Sequence, residues 1–113
     1  MAGTIKKLTG PLALTTTLTT NVYVPASALV YDVIQHVHIV NKTASAATFT
    51  LYLGATGANA AGTEIFGTAR SVAANSAFDW YGALKVTSTD FLVGGSGTAT
   101  ALTITIMGES YVV

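Results

Sequence analysis

His36 and His38 stand two residues apart in a chain with no other histidine and no cysteine. Side chains two apart on a strand project from one face. Both imidazoles therefore share a surface, with Asp32 farther along it under strict alternation. Two imidazoles and a carboxylate are the ligand types of zinc and other borderline metals. A structural zinc site takes about four ligands, and no cysteine or third histidine exists to complete one. The expectation is therefore no metal and no cofactor, with His36 and His38 placed at a sheet face or subunit contact. There, protonation below about pH 6 adds like charge and weakens the contact.

Other constellations fall short of chemistry. Gly57 to Thr63 has the outer spacing of a phosphate-binding loop but lacks the lysine before its final hydroxyl residue. Gly94-Gly95-Ser96-Gly97-Thr98 has Thr98 where a nucleophile elbow needs its last glycine. The acids Asp32, Glu64, Asp79, Asp90 and Glu109 are scattered, and no spacing favours the convergent pair that acid–base catalysis needs. The chain is expected not to be an enzyme. Tyr52, Trp80 and Tyr81 are candidate glycan contacts, because aromatic rings on a sheet stack on sugars. Trp80 shares its face with Phe78 and Leu84 and reads as core, which leaves Tyr81, beside Asp79 and Lys85, as the exposed ring. Asn41-Lys42-Thr43 matches the glycosylation sequon, inert in the absence of an export signal.

The elements that position these residues are strands. Alternation of apolar and polar positions dominates. It predicts strands over Leu12 to Val24, ended by Pro25, over Leu29 to Asn41, and over Thr48 to Leu53. Shorter ones follow near Glu64–Phe66 and Ala69–Ala73. Alternation returns over Ala77 to Val86, Phe91 to Val93 and Thr98 to Met107. Tyr111-Val112-Val113 adds a terminal strand or packs as a tail. Gly54 to Gly62 reads as a loop and Gly94-Gly95-Ser96-Gly97 as a turn. Seven or eight strands with regular turn signals predict a single-domain, all-β antiparallel sandwich, jelly-roll or immunoglobulin-like, at residues 11–113. Residues 1–10 are expected to form an extended N-terminal arm.

Composition bounds the partners. Charged residues are 9% of the 113, hydrophobic ones 50%, and the net charge is zero; an average domain carries about 25% charged residues. Little self-repulsion keeps copies apart, and few lysines guard sheet edges. A homo-oligomer is expected. The absence of a basic cluster argues against nucleic acid. No stretch approaches the ~20 apolar residues of a membrane span, and no signal-peptide pattern opens the chain, so synthesis in a cytoplasm is expected.

The run from Val37 to Leu53, with its Asn41-Lys42-Thr43 turn and its Thr48-Phe49-Thr50-Leu51-Tyr52 return strand, resembles a segment of small β-rich virion proteins of tailed bacteriophages. Ala77-Phe78-Asp79-Trp80-Tyr81-Gly82 and Leu102 to Gly108 look like the same group. The resemblance implies a non-enzymatic virion protein. It would be a capsid decoration (cement) protein bridging major capsid subunits, commonly a trimer, with an N-terminal arm whose Lys6 and Lys7 meet acidic shell surface. A tail or neck component and a carbohydrate-binding host-attachment module are the alternatives.

Overall fold

The computed structural model describes residues 4–27, 29–54 and 64–112. They form eight strands: β1 (Thr4–Ala13), β2 (Asn21–Tyr23), β3 (Val30–Asn41), β4 (Ala47–Leu53), β5 (Arg70–Val72), β6 (Ser76–Val86), β7 (Leu92–Ser96) and β8 (Leu102–Val112). Two four-stranded sheets, ordered β1-β8-β3-β6 and β2-β7-β4-β5, pack face to face. All pairings are antiparallel, and β1·β8, β2·β7, β3·β6 and β4·β5 are nested like one long folded hairpin. That nesting is the double Greek key of a jelly roll rather than an immunoglobulin-like sandwich.

Each inner face follows from alternation. Ile104 and Ile106 of β8, Val37 and Ile39 of β3, and Phe49 and Leu51 of β4 are essentially inaccessible to solvent. Phe78 and Trp80 of β6 close the side of this core together with Phe66. The Phe49–Phe78 and Phe66–Trp80 ring centroids lie 5.2 and 5.4 Å apart in tilted arrangements. Such offset aromatic contacts add roughly 0.5–1.5 kcal/mol each beyond the area they bury.

Several expectations need correction. The first ten residues are not a separate arm where they are described. Thr4–Ala13 is one strand, paired with β8 from Thr4↔Ser110 to Ala13↔Thr103. Its guard residues are local: Lys6, Lys7 and Pro11 all fall on this edge strand, the place where charge and proline blunt further pairing.

Leu12 to Val24 is not one strand either. The chain leaves β1 at the buried Leu14 and crosses to the other sheet. There the Thr15 and Thr20 carbonyls accept hydrogen bonds from the backbone of Ser96 and Gly94. A threonine run satisfies period-2 alternation equally well when its hydroxyls bond locally in a loop, as Thr15 and Thr20 do at 2.9 Å.

Finally, Gly94-Gly95-Ser96 is strand β7, not a turn; the turn falls at 97–100. Glycine is needed because backbone passes close on both sides. A Cβ at Gly94 would sit 2.2 Å from the Thr50 carbonyl oxygen, and one at Gly95 2.4 Å from that of Thr15. The expected Glu64–Phe66 strand is reduced to a single bridge, Tyr52↔Glu64. The Gly57–Thr63 loop lies outside the described residues.

Candidate functional site

The histidines owe their placement to a β-bulge. At the start of β3, Asp32 and Ile34 point inward and are fully buried. Between Ile34 and His36 the register shifts against both neighbours: Ile34 faces Gly108 and Leu84, whereas His36 faces Met107 and Tyr81. Against β8 the extra residue is Gln35, and the inward parity of β3 reverses there. Val37, Ile39 and Asn41 then point inward, and His36, His38 and Val40 outward. Asp32 is therefore on the face opposite the histidines, contrary to strict alternation.

The third member of the group is Asp79 of β6, the cross-strand partner of His38. His38 Nδ1–H donates to Asp79 Oδ1 at 2.6 Å and His36 Nε2–H donates to the same oxygen at 2.8 Å. These bonds, that from His38 first, hold the Asp79 carboxyl below its ordinary range. Tyr81, the cross-strand partner of His36, lies flat against its imidazole, with centroids 4.3 Å apart and planes 7° from parallel. From the neighbouring strand Asp79 thus holds both histidines, and Tyr81 also stacks on His36. Sequence reasoning missed this group because Asp79 lies 43 residues from His36 along the chain; only the β3–β6 register joins them.

Asp32 belongs to a second polar group at one end of the sandwich. The Tyr23 hydroxyl donates to its Oδ2 and the Ser110 hydroxyl to its Oδ1. A cavity of about 320 Å³ opens beside it, lined by Lys6, Tyr23, Ala26, Val30, Asp32, Ser110, Tyr111 and Val112. Burial, then the hydrogen bond to Asp32 and its charge, push the Tyr23 phenol upward.

The candidate glycan rings separate. Tyr52 is only 8% exposed, which removes it as a surface contact. Trp80 packs on Phe66 as part of the core margin. Tyr81 is 70% exposed but shares its outer ring surface with His36. Asn41 of the sequon is fully buried. Its amide donates to the Ser45 and Val72 carbonyls at 2.9 and 3.0 Å, and its Oδ1 accepts from the backbone and hydroxyl of Thr43. Ser96, also buried, ends β7 and accepts a hydrogen bond from the Thr98 backbone of the turn that follows. Lys6 and Lys7 are exposed on β1.

Comparison of the chain with protein-family models, with curated proteins and with solved structures finds no match.

Proposed function

We propose that this chain is a non-enzymatic structural subunit of a virion, in its most concrete form a capsid decoration protein that bridges major capsid subunits as a homo-oligomer. The observation that carries this reading is the gathering of three of the exposed apolar side chains at one end of a sheet. Ile5, Leu29 and Val112 are 75, 67 and 59% exposed. The registers Ile5↔Glu109 and Val30↔Val112 put all three at one end of the β1-β8-β3 sheet. Large apolar groups collected at one end of a weakly charged molecule favour coverage by a neighbour. Lys6 and Lys7 on the same strand offer positive charge to an acidic partner surface.

Jelly rolls recur in viral capsid proteins and in lectins, an analogy of fold that supports the reading without specifying a site. The resemblance of the Val37–Leu53 and Leu102–Gly108 segments to phage virion proteins supports it independently of the fold. Quantitative mass spectrometry of purified particles tests it. A copy number that tracks the major capsid protein supports decoration, and one matching a single vertex moves the chain to the tail or neck. Absence from particles, with a monomer at every concentration in light scattering, overturns the proposal.

A further inference from the structure

Three ligand-type side chains on the outer face of the long sheet bring one ligand atom each close together. One ring nitrogen of His36, one of His38 and a carboxylate oxygen of Asp79 all lie within 4.8 Å of one another, and His36 Nε2 and His38 Nδ1 both reach Asp79 Oδ1. A tetrahedral ion with bonds of about 2.0–2.2 Å holds its ligand atoms roughly 3.3–3.6 Å apart, so a centre fits here with side-chain movements of about an ångström or less. The geometry points to a binding site for one borderline divalent cation of the zinc class, held by His36, His38 and Asp79, with its remaining coordination facing out of the sheet.

The donor set selects the ion. Two imidazole nitrogens and one carboxylate oxygen suit Zn²⁺, Ni²⁺ or Cu²⁺. Mg²⁺ and Ca²⁺ seek oxygen ligands, and this group has a single carboxylate. The requirement for about four ligands applies to closed structural sites; open ones take three from the protein and leave a position for water or another group.

The site is also preorganised, which separates it from a chance meeting of surface side chains. All three ligands stand on strands rather than loops, and Tyr81 stacked on His36 restricts that ring. His38 and Asp79 are directly opposed in the ladder. Binding requires each imidazole to carry its proton on the nitrogen turned away from Asp79, a change of tautomer that leaves the ring neutral and frees a lone pair for the ion. Nothing in this inference depends on the proposed place in a virion.

The experiment uses the whole untagged chain, stripped with a chelator and titrated calorimetrically with Zn²⁺ and, in parallel, Mg²⁺. Imidazole NMR spectra are recorded at each point. The expected result is one equivalent of Zn²⁺ at micromolar or lower concentration, displacement of both histidine spin systems, and no saturable response to Mg²⁺. His38→Ala and Asp79→Asn each weaken Zn²⁺ uptake by about tenfold or more, with folding checked by circular dichroism. If either variant fails to fold, the wild-type histidine spectra decide. Absence of saturable Zn²⁺ uptake, uptake that leaves both histidine signals in place, or undiminished uptake by a folded His36→Ala/His38→Ala double variant would overturn the inference.

Discussion

Gly108 of β8 lies against Val33 of β3 so closely that a Cβ at position 108 would fall 2.0 Å from the Val33 carbonyl oxygen. The contact is at the bulge, where Ile34 faces Gly108 and the next paired residue is already His36. A residue without a side chain lets the two backbones approach while the ladder slips by one. That slip turns His36 and His38 outward, toward Asp79.

Gly108→Ala is accordingly expected to reach both the core and the histidines. Forcing a methyl group into this space costs about 1–3 kcal/mol or more, which lowers the thermal midpoint by roughly 4–8 °C per kcal/mol in a domain near this size. The imidazole resonances of His36 and His38 should move, while those of Phe49 and Leu51 in the opposite sheet stay. A midpoint and histidine spectrum identical to wild type would contradict the close approach.

The Tyr23–Asp32 contact predicts an alkaline limb. The folded-state phenol titrates above its ordinary value of 10.0, so its contribution to stability is complete below pH 10. It is lost as pH rises from there through the higher folded-state value, when a phenolate would face Asp32. Tyr23→Phe should cost about 1.5–3 kcal/mol near neutrality, the worth of a hydrogen bond to a charged group. The gap between variant and wild type should narrow above pH 10. Lys6 and Tyr111 also line this cavity, but they are common to both proteins and cancel in the difference. Urea unfolding at a series of pH values measures the gap; a constant gap would refute the linkage.

The sandwich was legible because alternation alone separates the faces of a strand. Alternation over Ala77 to Val86 puts Phe78, Trp80, Leu84 and Val86 on one side, and that is the inward side of β6. The same rule failed in β3, since a bulge changes parity and leaves no mark in a run of Val, Ile, Gln and His. It failed in Thr15 to Thr20 for a different reason: threonine suits a pleated surface and a hydroxyl-bonded loop alike. The histidine pair was visible as a spacing. Its carboxylate was not, because Asp79 is supplied by register across two strands, and register is a long-range property set by the packed core.

Trp80 and Tyr81, adjacent in sequence, should behave as opposites. Trp80 lies half-buried against Phe66, and its indole fills the space beside Gly82. Trp80→Ala should cost about 2–3 kcal/mol, below the range for fully buried large aromatics. Tyr81→Ala removes an exposed ring and should stay within about 0.5 kcal/mol, while freeing the His36 imidazole to sample other rotamers. Chemical denaturation measures the first effect and the His36 line shape the second. Equal destabilisation by both would mean that the two faces of β6 have been misassigned.

Asn41 offers a sharper case, since its whole side chain is spent on partners in the β3–β4 turn and at the end of β5. Its amide joins Ser45 and Val72 while its oxygen holds Thr43, so one residue ties the β3–β4 turn to the end of β5. Asn41→Ala strands those groups in a fully buried position, at about 1–3 kcal/mol for each left unsatisfied. Asn41→Asp keeps the bonds from Thr43 but turns the amide donor into an acceptor facing two carbonyls, and should be at least as harmful. Amide hydrogen exchange localises the damage. Faster exchange at Thr43 is expected in Asn41→Ala alone, and loosening next to Val72 in both variants. An Asn41→Asp variant as stable as wild type would refute the weight given to the amide's bonds to Ser45 and Val72.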